Sequence, residues 1–221
     1  MGLDWMYWYE LGAGPILKVS FAVFLLGLAW RVAATLSLAR RMDPAALKKF
    51  RAAWAMASIL RWMLPANVTA RENPAATCAG FALHLGFLAV ALLFSGHVML
   101  VDQAWDVSWW MLPDPVADWL TYACLAGGAF LIFRRLALPH VRALTRSADW
   151  LALALTLIPM FTGWLAYHQV GEYEMMIALH VLSANLLLVA APFTKLSHAA
   201  LFFVSRALTG SDFGKRNVGA W

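Results

Sequence analysis

Five apolar stretches, each long enough to cross a bilayer as a helix, constrain this chain more than any other feature. They run from about Pro15 to Leu38, Cys78 to Val101, Val116 to Phe133, Ala148 to Tyr167 and Met175 to Val204. A helix rises ~1.5 Å per residue, so about 20 apolar residues cross the hydrocarbon core. A water-soluble fold cannot hide five such stretches without a charged exterior. Here 62% of residues are hydrophobic and only 13% are charged, against about 25% in an average soluble domain. The expected fold is all-α: a polytopic membrane bundle of five transmembrane helices, forming a single membrane domain over residues 1–221. A soluble globular protein, a disordered chain and a disulfide-rich secreted scaffold are excluded. The fifth stretch exceeds what a bilayer needs and is expected to project beyond it. The segment from Pro44 to Pro65 mixes Lys48, Lys49, Arg51 and Arg61 with Trp54, Met56, Ile59, Leu60 and Trp62. That mixture places it along the membrane interface rather than across it.

Charge sets the expected orientation. Sixteen of the seventeen basic residues fall in three places: Arg31 to Arg71, Arg134 to Arg146, and Lys195 to Arg216. The other links, Asp102 to Pro115 and His168 to Glu174, hold none. Positive charge stays on the cytoplasmic side, so the N-terminus is expected outside and the C-terminus inside. The net charge of +5 therefore points to membrane topology and not to nucleic acid. Trp5, Trp8, Trp105, Trp109, Trp110 and Trp119 fall on the expected outer side as an aromatic belt. Met1 to Gly14 holds no Lys or Arg, so the first apolar stretch reads as a retained span and not as a signal peptide. Two cysteines, Cys78 and Cys124, supply no four-cysteine set for zinc or an iron–sulfur cluster, and they fall near opposite membrane faces, which argues against a disulfide.

The histidines carry the chemistry. Of six, His84 and His97 lie in the second span, and His180 and His198 in the fifth. Ionisable groups within spans are costly and usually functional. A neutral imidazole is a good axial ligand for haem iron, and helices bearing two histidines each can hold two stacked haems in a bundle. The spans run antiparallel, so depth pairs His84 with His198 near the cytoplasmic side and His97 with His180 near the outer side. Their separations along the chain, 13 and 18 residues, correspond to roughly 20 and 27 Å of helix. Eighteen residues return to the same helix face, but thirteen end about 140° away. Gly86, Gly96 or a bulge in span two, and Pro192 in span five, are candidate places for a correction. Two other readings remain open: core histidines bonded to helix carbonyls, and a metal-transport path, which lacks carboxylate partners within the spans. His140 follows Pro139 in a basic link and reads as a surface residue. His168, at the outer end of span four, reads either as an interfacial residue or as part of a quinone or proton site.

The stretch R-R-L-A-L-P-H-V-R-A-L-T-R-S-A-D at Arg134 to Asp149 resembles the gamma subunit of respiratory nitrate reductase, a di-haem cytochrome b. So do L-H-V-L at Leu179 to Leu182 and P-F-T-K-L-S-H at Pro192 to His198. Upstream, L-H-L-G at Leu83 to Gly86 and the pair Gly96, His97 are similar to that family's second span. The resemblance implies two haem b groups: His97 and His180 on the outer one, His84 and His198 on the inner one. It implies quinol oxidation beside the outer haem, near Gly96, with electrons leaving to an iron–sulfur protein on the cytoplasmic face.

The chain departs from nitrate reductase in three ways. The span-two histidines are three residues further apart than in that family's pattern, the link between spans four and five is very short, and the basic residue before span three has no counterpart. Lys18 lies at a similar outer depth and is either its substitute or a snorkelling lysine. The link E-Y-E-M-M at Glu172 to Met176 and the tail F-G-K-R-N-V-G-A-W at Phe213 to Trp221 look more like a second branch. Its haem b subunits partner proteins similar to the heterodisulfide reductase iron–sulfur subunit. The expectation is a respiratory-complex subunit in a bacterial or archaeal cytoplasmic membrane, exchanging electrons between the quinone pool and a cytoplasmic iron–sulfur subunit. A true nitrate reductase gamma subunit and a non-redox anchor or transporter are the alternatives.

Overall fold

The structure is a computed structural model and describes residues 4–64 and 68–216. Residues 217–221 of the tail quoted above, and Pro65 at the end of the mixed segment, lie outside them. In chain order the helices are α1 (Trp5–Leu11), α2 (Leu17–Met42), α3 (Pro44–Lys48), α4 (Ala52–Met63), α5 (Val68–Glu72), α6 (Pro74–Leu93) and α7 (Ser95–Trp105). They continue with α8 (Asp114–Ala137), α9 (Pro139–Leu144), α10 (Ser147–Tyr167), α11 (Tyr173–Ala190) and α12 (His198–Lys215). No strand occurs among the described residues. Five helical runs are long and apolar enough to cross a membrane: Trp5–Met42, Pro74–Leu93, Asp114–Ala137, Ser147–Tyr167 and Tyr173–Phe193. The chain is thus an all-helical, multi-pass membrane protein. Leu26, Leu88, Trp119, Phe133 and Leu186 are exposed on these helices, an apolar surface suited to lipid.

Two expected spans are interrupted. The second was expected to run unbroken to Val101. Instead α6 stops at Leu93, Phe94 is extended (φ −68°, ψ 136°), and α7 starts afresh at Ser95. The fifth was expected to continue to Val204, but α11 stops at Ala190. Two 3₁₀ turns follow, Ala191–Phe193 and Lys195–Ser197, separated by an extended Thr194. Pro192 has no amide proton and cannot extend the α-helical ladder. The first span is longer than expected. Asp4 caps it by accepting from Tyr7 N–H at 3.0 Å, and a π-helical turn, Gly12–Ile16, joins α1 to α2 around Pro15. That turn absorbs the hydrogen bond Pro15 cannot make.

The helices gather into two compact units: Met1–Ala22 with Cys78–Val189, and Val23–Thr77 with Ala190–Trp221. In the first, Leu83, Val90, Cys124 and Met160 form the buried core, with Phe87, Phe94, Leu120 and Leu157 packed around it. Glycines bring α6 and α8 together. A Cβ on Gly86 would lie 2.5 Å from Leu120 O, and one on Gly127 2.5 Å from Ala79 O. The π turn packs on α11 at Gly12, where a Cβ would meet Val181 at 2.7 Å. Asn185 then ties the two together, donating from Nδ2 to Gly12 O and to Val181 O, each at 2.9 Å. Both cysteines are free thiols, with Cys124 buried.

In the second unit α12 packs along α4. Arg51 N–H donates to Ser211 Oγ at 2.8 Å. Gly210 and Gly214 press against Ser58 and the Trp54 ring, and the Arg206 guanidinium sits 4.6 Å above the Trp62 ring. The mixed segment is therefore a helix with a helical partner, and at twelve residues α4 is too short to cross a bilayer.

Candidate functional site

The site is built on the break at Phe94. Ending α6 there frees the last carbonyls of the helix, and each buried carbonyl needs a donor. Trp109 Nε1–H donates to Leu92 O at 2.7 Å, and Leu112 N–H to Leu93 O at 2.8 Å. Both donors come from the link after α7. His97 Nδ1–H takes Val90 O at 2.9 Å. A side chain seven residues on lies ~10 Å further along an unbroken helix, so that bond exists only because the helix is interrupted. The break lies between His84 and His97, so their 13-residue spacing does not run along one continuous helix. It falls at Phe94, whereas Gly86 serves helix packing and Gly96 lies in the first turn of α7, against the Phe94 ring.

His180 comes from α11 and leans on α10. Its Nδ1–H donates to Pro159 O at 2.8 Å. The ring lies over Gly163, where a Cβ would stand 2.8 Å from His180 Cε1 and Nδ1. Only glycine leaves that space.

The two imidazoles meet. His97 Nε2 and His180 Nε2 are 3.5 Å apart, the ring centroids are 5.7 Å apart, and the planes differ by 12°. The rings therefore confront each other edge-on through their Nε2 atoms. A backbone carbonyl can only accept, so both Nδ1 atoms carry the proton and both Nε2 atoms carry a lone pair. Two lone pairs facing each other repel, and neither can donate to the other. An electrophile placed between them removes the conflict. Metal–imidazole bonds are about 2.0 Å, so a bis-imidazole metal needs about 4 Å between the nitrogens. The rings would part by about half an ångström to admit one. The Phe94 ring packs edge-on against His97, centroids 5.4 Å apart, and against Tyr167, centroids 5.7 Å apart.

His84 and His198 lie in different units, and both are exposed. His84 Nδ1–H donates to Gly80 O at 2.7 Å, and His198 Nδ1–H to Lys195 O at 2.8 Å. All four span histidines thus commit Nδ1–H to a backbone carbonyl. The same-face argument for His180 and His198 assumed one continuous helix and does not apply across the turns at Pro192. Lys18 is exposed on α2, one turn before Phe21, whose ring meets Trp105 at 5.4 Å. Asp149 closes the first turn of α10, accepting from Arg146 N–H at 2.9 Å.

Phe94, Pro159 and Gly163 escaped the sequence reading. Pro159 and Gly163, four residues apart in an apolar helix, were the available signal, since neither favours a helix interior.

No family model matches this chain. A protein of Nitratidesulfovibrio vulgaris strain Hildenborough is 38% identical over 217 residues, covering 96% of both chains. This chain belongs to the same family as that protein. The likeness runs nearly the full length of both chains.

Proposed function

We propose that this chain is a di-haem b subunit of a membrane oxidoreductase complex, exchanging electrons between the quinone pool and a cytoplasmic iron–sulfur subunit. The observation that carries the reading is the pair of unprotonated Nε2 atoms of His97 and His180, facing each other within the membrane bundle. Among the described residues no three His, Cys, Asp or Glu side chains gather at one point. A metal held by His97 and His180 would therefore take two ligands from the protein and the rest from a macrocycle, as haem iron does. His97 and His180 would hold the outer haem, and His84 and His198 the inner one. The carbonyl bonds to each Nδ1 fix ring orientation and raise the basicity of Nε2. Bound haem iron supplies one-electron redox chemistry.

In this reading the N-terminus is outside, the basic links are cytoplasmic, and the iron–sulfur subunit docks on the basic side. Gly96 and Lys18 remain the proposed quinone neighbourhood beside the outer pair. The membrane is the bacterial or archaeal cytoplasmic membrane.

A dithionite-reduced minus oxidised spectrum of the purified protein, with haem quantified per chain, tests the reading. Two b-type haems per chain are expected. Folded protein purified without haem would overturn it and leave the histidines as structural groups.

A further inference from the structure

A fifth histidine donates through the opposite ring nitrogen from the other four. His168 stands at the C-terminal end of α10, and its Nε2 lies 2.9 Å from Asp118 Oδ1. A carboxylate can only accept, so the proton sits on Nε2 and the lone pair on Nδ1. The Tyr122 hydroxyl lies 3.4 Å from the same Nε2. The partner differs in kind as well as in position. The four span histidines donate to neutral carbonyls, which suits a ligand that must stay neutral. A carboxylate instead stabilises the imidazolium, which suits a group that must accept a proton.

Aromatic side chains surround the site. The His168 ring is 5.0 Å from Trp164, 5.1 Å from Tyr167 and 6.2 Å from Tyr122. The Trp164 indole Nε1 is buried and finds no hydrogen-bond acceptor among the described residues, a donor left over beside a base. Three successive ring contacts, His168 to Tyr167 to Phe94 to His97, connect the site to the outer histidine pair within the same unit. Asp114 anchors the same end of α8 by accepting from Ser95 Oγ–H at 2.9 Å.

We infer that His168, oriented by Asp118, is the proton acceptor for quinol oxidation at this end of the bundle. The inference rests on the electron-transfer reading above. Oxidising a quinol breaks two O–H bonds and releases two electrons and two protons. A haem held by His97 and His180 would accept the two electrons one at a time and pass them on toward the cytoplasmic partner. Each proton passes to His168 Nδ1 and then to outside water, since the side chain is partly exposed. The Trp164 indole N–H is the complementary donor for the quinone oxygen. The titratable and charged groups around His168 are Asp118 and Tyr122 on α8 and Tyr167 on its own helix. Asp114, near Tyr167, completes the set.

The experiment uses the full-length haem-loaded protein with menadiol as reductant, comparing His168→Gln and Asp118→Asn with wild type. Both variants should keep wild-type haem content and dithionite-reduced spectra. Menadiol-driven haem reduction should fall about 100-fold in His168→Gln and about 10-fold in Asp118→Asn. A second readout is independent of haem: menadione should slow modification of His168 by diethylpyrocarbonate, measured by mass spectrometry. Wild-type menadiol kinetics in folded His168→Gln, or no protection by menadione, overturns the assignment of His168 alone. A wild-type protein reduced by dithionite but not by menadiol overturns the quinone reading itself.

Discussion

The helix breaks at Phe94 and Pro192 interrupt two apolar stretches by different means. At Phe94 no covalent constraint stops the helix. The break is held open by donors from elsewhere in the first unit: the Trp109 indole, the Leu112 amide and the His97 ring take Leu92, Leu93 and Val90 carbonyls. At Pro192 the chain stops itself. The missing amide ends α11, two 3₁₀ turns follow, and Thr194 caps the second with its own side chain, accepting from Leu196 N–H at 3.3 Å. Each break is followed within a few residues by a histidine. At the first, that histidine is one of the pieces holding the break open. At the second, His198 Nδ1–H donates to Lys195 O, three residues back. Histidine placement and helix interruption are therefore coupled at Phe94, while at Pro192 the missing amide ends α11 by itself.

The largest expected effect follows from that coupling. His97→Ala and His180→Ala should each lower haem from two per chain to one, read by pyridine haemochrome assay. His97→Ala should also loosen the break, because Val90 O loses a donor, and hydrogen exchange across residues 90–100 should rise. His198→Ala should remove the other haem and leave exchange around Pro192 unchanged. Equal loosening at both breaks would show that the second is not self-made.

A smaller effect separates ligand from seat. In Gly163→Ala the added methyl would stand 2.8 Å from the His180 ring. Overpacking of this kind costs about 1–3 kcal/mol. Outer-haem occupancy and melting temperature should fall, while the inner haem stays. A Gly163→Ala protein with two haems and wild-type melting would mean that the ring does not rest on α10.

These differences mark how far the sequence could be read. Five apolar runs are a composition signal summed over about 20 residues each, so the number of spans survives local error. Pro192 was visible as a breaker because its effect is covalent. The break at Phe94 was visible only as a misfit, the 140° between His84 and His97, because its cause lies in Trp109 and Leu112, fifteen or more residues away. The outer histidines were named from their depth, but their seats were not: Pro159 O and Gly163 belong to another helix, and pairing between helices leaves no local pattern. His168 was noticed, yet its partner Asp118 is fifty residues distant.

The finest test weighs one hydrogen bond at each break. Trp109→Phe keeps most of the ring and removes only the donor to Leu92 O, a short bond of 2.7 Å. Thr194→Val keeps the shape and removes an acceptor at 3.3 Å. A net hydrogen bond contributes about 1 kcal/mol, and longer ones contribute less. If the first break depends on its tertiary donors, Trp109→Phe should lower stability by about 1 kcal/mol and speed exchange at residues 94–98. Thr194→Val should cost only a few tenths, because Pro192 stops the helix with or without the cap. The reverse order would place the stress at the second break. It would mean that Leu112 N–H and His97 hold the first one open without Trp109, leaving the indole to the membrane surface.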